Sequence, residues 1–306
     1  MDPLSDHPTE AHEAAGNAIE RPDDPTPPAA PGSDRILHQP AGIRPPLSYS
    51  QQRLWFMDQL EPGSIDYNRT FALRLSGPLD LDSLRHSLNE IVRRHEVLRT
   101  SFPAIEGRPF QQVNPPHPLD IPLLDLSGLP GPDRRSEAAR LARQVASRPF
   151  DLIHDLLIRP GLIRLDQEQH VLHLTTHHIA FDGFSESIFL RELAALYTAA
   201  RAGADPQLAE PVIQYGDYAA WERQRAQGGA LNEDLAYWRK ALSDLSPRPG
   251  LPTLEGESPA VDGAVGQERL ELPGPLSEAV RGVCRREGVT PFMMFASVFV
   301  LLLHRL

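Results

Sequence analysis

The sequence has one cysteine, one lysine and no basic or apolar leader. With Cys284 alone, no internal disulfide can form. That excludes a secreted disulfide scaffold, and a cysteine-based zinc site with it. No histidine-like base is paired with Cys284 in sequence, so it reads as a small buried apolar residue. The first residues, Met1 to Asn17, have neither the basic nor the apolar stretch of a signal peptide, and the cytoplasm is the expected location. Long hydrophobic runs are missing too. The longest, Val289 to Leu303, covers 15 residues and contains Pro291, short of the roughly 20 that cross a bilayer. It reads as a buried helix, and no membrane partner is expected. Basic charge is scarce: 30 Lys and Arg face 41 Asp and Glu, for a net charge of -11. That excludes a nucleic-acid partner held by a general positive field.

What is present suits a globular protein. Hydrophobic residues make up 41% and charged residues 23% of the 306 positions, enough for a sizeable core in one large or two smaller domains. Ten of the 31 prolines fall in the first 46 residues. Residues 1–45 therefore read as a disordered leader or linker, unable to offset its ordering entropy. Order is expected from Pro46. Ser48 is placed to cap a helix through Leu54 and Met57. Asn68 to Leu75 alternates as a strand, with Phe71, Leu73 and Leu75 on one face. Leu81 to His95 carries apolar residues at helical spacing. Val97–Phe102 and Pro109–Val113 read as strands paired about Glu106-Gly107. Residues 115–132 read as loop and Arg134–Ser147 as helix. Strands at Ile158–Leu165 and His170–Thr176 precede helices at Gly183–Ala202, Tyr215–Gln227 and Leu231–Leu245. A link rich in Pro, Gly and Ser covers 246–264. A strand, Gln267–Leu272, then leads into helices Leu276–Arg286 and Thr290–His304. Strands and helices mix without strict alternation. The expected fold class is therefore α/β of the α+β kind, a mixed sheet with packed helices rather than a doubly wound one.

The segment with most chemistry is His173 to Ser185. A strand ends in two histidines, a short turn follows, and Asp182-Gly183 opens a helix. Loops between rigid elements commonly carry function. Side chains alternate along a strand, so His177 faces with His173 and Thr175, and His178 faces the other way. The two histidines should not share a task. Histidine exchanges protons near neutral pH, an Asp four residues on can orient it or hold the turn, and glycine permits positive φ or close backbone approach. A metal site is not expected, because no fourth ligand lies near His173, His177 and Asp182.

Four segments together resemble one family. His177-His178-Ile179-Ala180-Phe181-Asp182-Gly183 matches the HHxxxDG signature of nonribosomal peptide synthetase condensation domains. Ser48 to Trp55 resembles the family's SxAQxRLW motif, Arg94 to Phe102 its RHExLRTxF motif, and Tyr215 to Trp221 its YxDYAxW motif. They occur in family order across residues 46–306, and the likeness is closest to members that join two L-configured units.

This resemblance implies a chloramphenicol-acetyltransferase-like fold. Residues 46–245 would form the N-terminal lobe, 246–264 a linker, and 265–306 the incomplete start of a second lobe. It implies an amide-forming acyltransferase with His178 as the catalytic residue. His177, Asp182 and Gly183 would support the loop, and Arg99 or Arg94 would pair with Asp182. No metal or cofactor would be bound directly. Substrates would arrive on the phosphopantetheine arms of donor and acceptor carrier proteins, beside an adenylation domain. Two alternatives stay open: a truncated, inactive half-domain that at most binds carriers, and an ester-forming acyltransferase sharing the HHxxxDG motif.

Overall fold

The computed structural model describes residues 35–40, 43–227, 229, 231–245 and 270–305. Two compact units divide after Asn232, earlier than the boundary near 245 expected from sequence. Ordered contacts also begin earlier than Pro46. His38 Nδ1 lies 2.9 Å from Asp217 Oδ2, and the Gln39 amide donates to Asp217 Oδ1 at 2.8 Å. A buried carboxylate that needs donors thus pins a segment whose composition alone suggests disorder. The linker at 246–264 lies outside the described residues.

In the first unit, helix α1 (Tyr49–Leu60) starts at Ser48, whose hydroxyl accepts from the Gln51 amide while the Gln51 side chain accepts from the Ser48 amide. Strand β1 (Asn68–Ser76) follows, then helix α2 (Leu81–Arg94). The expected strand over Val97–Phe102 is only partly one. Glu96–Arg99 winds into a 3-10 turn, closed by the Thr100 hydroxyl donating to the Glu96 carbonyl. Only β2 (Thr100–Ser101) remains extended, and it pairs with β5 (Gln112–Val113) around the small hairpin of β3 (Ala104–Ile105) and β4 (Arg108–Pro109). The 115–132 stretch is not all loop. It contains β6 (Leu123–Asp125), which pairs in parallel with β7 (Ile158–Arg164). Helix α3 (Gly131–Ala146) lies between them in sequence. Strand β8 (Gln169–His177), helix α4 (Gly183–Ala202) and helix α5 (Tyr215–Gln227) complete the frame.

The main sheet runs β1-β8-β7-β6, with β8 antiparallel to both neighbours. β8 is central and buried from His170 to His177, which explains its nearly continuous apolar and histidine sequence. Leu172 and Leu174 face α2 and α4. They pack with Leu88, Ile91, Phe189 and Leu193 into the largest core cluster. Each such side chain contributes about 1.5–3 kcal/mol on burial. The opposite face of β8 carries His173, Thr175 and His177, all buried.

One glycine is required there. Gly161 lies across from His173 in the β7–β8 register, and a Cβ on it would stand 2.1 Å from His173 Nε2. Gly161→Ala is expected to destabilise the fold by about 1–3 kcal/mol or more through overpacking. Adding His173→Ala should restore part of that loss. Denaturant midpoints of the single and double variants check it, and purely additive losses would refute the contact as the cause.

In the second unit, helix α6 (Asn232–Ala241) begins at its boundary, and α7 (Gly274–Glu287) and α8 (Pro291–Arg305) meet at a bend of 102°. Leu270–Leu272, expected at the end of a strand, is not one; residues 267–269 are outside the described set. Cys284 is buried as expected. α8 has no buried residue, contrary to the buried helix expected from its apolar run. Among the described residues no single helix is long and apolar enough to cross a membrane.

Candidate active site

β8 carries His177 into the interior, and the chain leaves the sheet at His178. The two rings part as strand alternation requires. His177 is buried between Tyr67 and Phe150, with ring centroids 6.3 and 6.0 Å away. Its Nδ1 accepts the Ile179 amide at 3.2 Å. His177 is therefore a neutral tether under the loop. Burial first, then the neighbouring His178 and Arg159, push its pKa from 6.5 down to about 4.

The folded value lies below the unfolded one, so the unfolded chain binds the proton more readily. Stability is full above about pH 6.5 and is lost as pH falls toward 4. A drop from 6.5 to about 4, at ~1.36 kcal/mol per pH unit, amounts to about 3 kcal/mol. His177→Asn keeps an acceptor but cannot titrate. Between pH 7 and pH 4 the parent protein should lose about 3 kcal/mol more than this variant in denaturant titrations. Equal losses would show that His177 is not the group being charged.

His178 is half-buried, and its backbone N–H donates to the Tyr67 carbonyl at 2.8 Å. Its Nδ1 lies 2.9 Å from the Phe181 carbonyl. A carbonyl oxygen only accepts, so Nδ1 carries the proton, and in the neutral ring Nε2 presents the lone pair. Among the described residues Nε2 has no hydrogen-bond partner. The Ala180 amide closes the turn onto the His177 carbonyl. From α1, Gln51 Nε2 reaches the Ile179 carbonyl at 3.5 Å. Loop, strand and α1 together fix one orientation of the ring.

Asp182 differs from expectation. Neither Arg99 nor Arg94 reaches it. Asp182 is the N-cap of α4, and its Oδ1 accepts from the Ser185 amide at 2.8 Å and the Ser185 hydroxyl at 2.7 Å. The Ser185 hydroxyl in turn accepts the Asp182 amide at 3.2 Å. The Ser185 hydrogen bond, opposed by burial and helped by the cap amides, holds the Asp182 pKa below its ordinary value. The arginines are used elsewhere. Arg94 Nε donates to Glu192 Oε2 at 3.2 Å and its terminal nitrogens donate to the Leu208 and Ala209 carbonyls. Arg99 donates to the Asn114 and Arg93 carbonyls and to Glu96. An exposed Asp182 gains more from adjacent cap donors than from a distant cation.

Gly183 is exposed, has no positive φ, and would find nothing within 4 Å of an added Cβ. Neither a strained turn nor a packed neighbour demands glycine. The space above it is open beside His178's loop.

The other motif segments converge by packing. Ser48 Oγ meets Tyr215 Oη at 3.2 Å, and Trp55 Nε1 donates to the Phe102 carbonyl at 3.2 Å. The sequence alone assigns no role at the site to three residues that hold it: Gln51, Ser185 and Glu192. Two of them leave a signal. Ser185 stands three residues after Asp182, the spacing of a reciprocal cap. Glu192 sits on the apolar stripe of Phe189, Leu193 and Leu196, where a buried carboxylate requires a cation. Among the described residues no cluster of three or more His, Cys, Asp or Glu could hold a metal ion.

A histidine held through Nδ1, with Nε2 unpartnered, at the mouth of a strand–helix loop is suited to accept a proton or orient a nucleophile. Comparison with known proteins gives this geometry its context. Residues 44–306 match the family model of the condensation domain. A linear gramicidin synthase of Brevibacillus parabrevis is 42% identical over 263 residues, 85% of this chain and 5% of that protein. Phosphinothricin tripeptide synthetase PhsC of Streptomyces viridochromogenes is 42% identical over 280 residues, 90% of this chain and 26% of that protein. The chain thus spans only a small part of these curated relatives. The crystal structure of the first condensation domain of the CDA synthetase superposes with a TM-score of 0.72 at 26% identity, covering 87% of this chain and 63% of that one. The mixed sheet described above has the chloramphenicol-acetyltransferase-like fold of these domains. With the match running from residue 44 to residue 306 and the histidine loop built as described, the chain belongs to the condensation-domain family.

Proposed function

We propose that the chain carries out the condensation step of nonribosomal peptide synthesis. The amine of a carrier-bound acceptor attacks the thioester carbonyl of a carrier-bound donor. A C–N bond forms, the C–S bond breaks, and the donor carrier leaves as a thiol. The amine's proton passes to His178 Nε2 and then to the departing sulfur. The observation that carries this reading is the His178 ring itself, oriented by the Phe181 carbonyl with its other nitrogen free. Gly183 leaves open space beside it for a phosphopantetheine arm. Holding both thioesters in place contributes at least as much as proton transfer, because tethering removes most of the translational entropy cost. Donor and acceptor carrier proteins are the partners, with a neighbouring adenylation domain loading them. The arms belong to the carriers, and the chain itself binds no cofactor.

The test is mass spectrometry of the acceptor carrier after mixing the protein with two aminoacyl-loaded carriers. A dipeptidyl thioester with an amide bond supports the proposal. Product only with hydroxylated acceptors would make the protein an ester-forming acyltransferase. Carrier binding without any product would make it a docking half-domain.

A further inference from the structure

Behind the catalytic loop lies a crevice that no step above uses. Its floor is Ile91, Leu98, Phe181 and Phe189, all buried, and its rim includes His95, Ser185 and Ile188. It holds about 80 Å³. A single water needs roughly 10–15 Å³, so a group of a few heavy atoms fits. The two polar side chains on the rim are engaged elsewhere. His95 Nε2 bonds Glu192 at 2.9 Å, and the Ser185 hydroxyl bonds Asp182. A charged group entering this mostly apolar lining would shed water for at most the second ring nitrogen of His95. The crevice also adjoins the reacting centre, because the Phe181 in its floor provides the carbonyl that orients His178. Outside it, Phe184 stands 83% exposed one helical turn before Ile188, on the same side of α4.

We infer that this crevice receives the apolar side chain of a carrier-bound aminoacyl unit and favours small aliphatic side chains over charged ones. The inference rests on the condensation reading, whose substrates it narrows. Either unit, donor or acceptor, brings the same chemistry.

The experiment is methyl NMR of the full chain, labelled at isoleucine and leucine, titrated with aminoacyl-pantetheine thioesters. Leucyl- and valyl-pantetheine should shift the Ile91 and Ile188 methyls saturably, with aspartyl-pantetheine at least roughly tenfold weaker. Ile188→Trp closes the rim from an exposed position and should remove the leucyl response. Ile188→Ala should keep it and admit larger apolar side chains. In turnover, Ile188→Trp should slow leucine relative to glycine in either the donor or the acceptor arm, and the arm that responds identifies the unit. An unshifted Ile91, equal affinity for leucyl and aspartyl probes, or an unchanged leucine-to-glycine ratio in both arms overturns the assignment. His178→Ala separates the two readings. It should keep the leucyl shift and lose turnover, and retained turnover would overturn the condensation reading while leaving the crevice in place.

Discussion

Replacing His178 with alanine is expected to slow amide formation roughly 10²–10⁴-fold with little change in melting temperature. The ring is half-exposed, and its one structural bond is to the Phe181 carbonyl. The backbone contacts that hold the turn, His178 to Tyr67 and Ala180 to His177, do not involve the side chain. Single-turnover kinetics with preloaded carriers reads the chemical step. Asp182→Ala is the informative contrast. It removes the N-cap of α4, which costs about 0.5–2 kcal/mol, and leaves the His178 Nδ1 bond in place. Its fault should therefore appear in stability more than in rate. An unaltered rate for His178→Ala would remove the residue from the mechanism.

Glu192→Ala is expected to cost about 3–5 kcal/mol of unfolding free energy. Its carboxylate is buried between α4 and α2 and accepts from both Arg94 and His95. Burial alone would raise its pKa, but the His95 and Arg94 hydrogen bonds outweigh burial and hold it below the usual value. Removing the carboxylate leaves the Arg94 guanidinium buried, with the Leu208 and Ala209 carbonyls and the mostly exposed Glu210 carboxylate, 3.6 Å away, as its remaining partners. Glu192→Gln keeps the shape and one acceptor oxygen, so its loss should be smaller, about 1–3 kcal/mol. Denaturant unfolding of both variants checks the order. A glutamine variant as unstable as the alanine one would mean that charge, not geometry, dominates. A silent alanine variant would mean that the pair adds nothing net.

Much of this architecture was legible because periodicity reports burial. The apolar stripes of α2 and α4 follow directly from which faces meet the core. β6 was not legible. Its three residues follow a proline-rich stretch and become a strand only because the edge of β7 offers parallel partners. Glu96–Arg99 looked extended because Val97 and Leu98 are β-favouring or apolar, and a side chain-to-backbone bond from Thr100 decided otherwise. At the site, the opposite facing of His177 and His178 was readable from strand alternation. The partner of Asp182 was not. The family resemblance implies an ion pair with an arginine, yet local cap donors three residues away outcompete a cation that must cross the fold. The arginine's actual partner, Glu192, lay in a helix stripe that reads as purely apolar until one charged position is noticed.

Everything assigned to His178 requires a proton on Nδ1 and none on Nε2. Nitrogen-15 NMR of the histidine side chains, with the signal identified by its loss in His178→Ala, tests this directly. At a pH where the ring is neutral, the expected result is a protonated Nδ1 and a bare Nε2, as the bond to the Phe181 carbonyl demands. A ring protonated at Nε2 would contradict it, since Nε2 would then have no lone pair to take the proton that the proposed step releases.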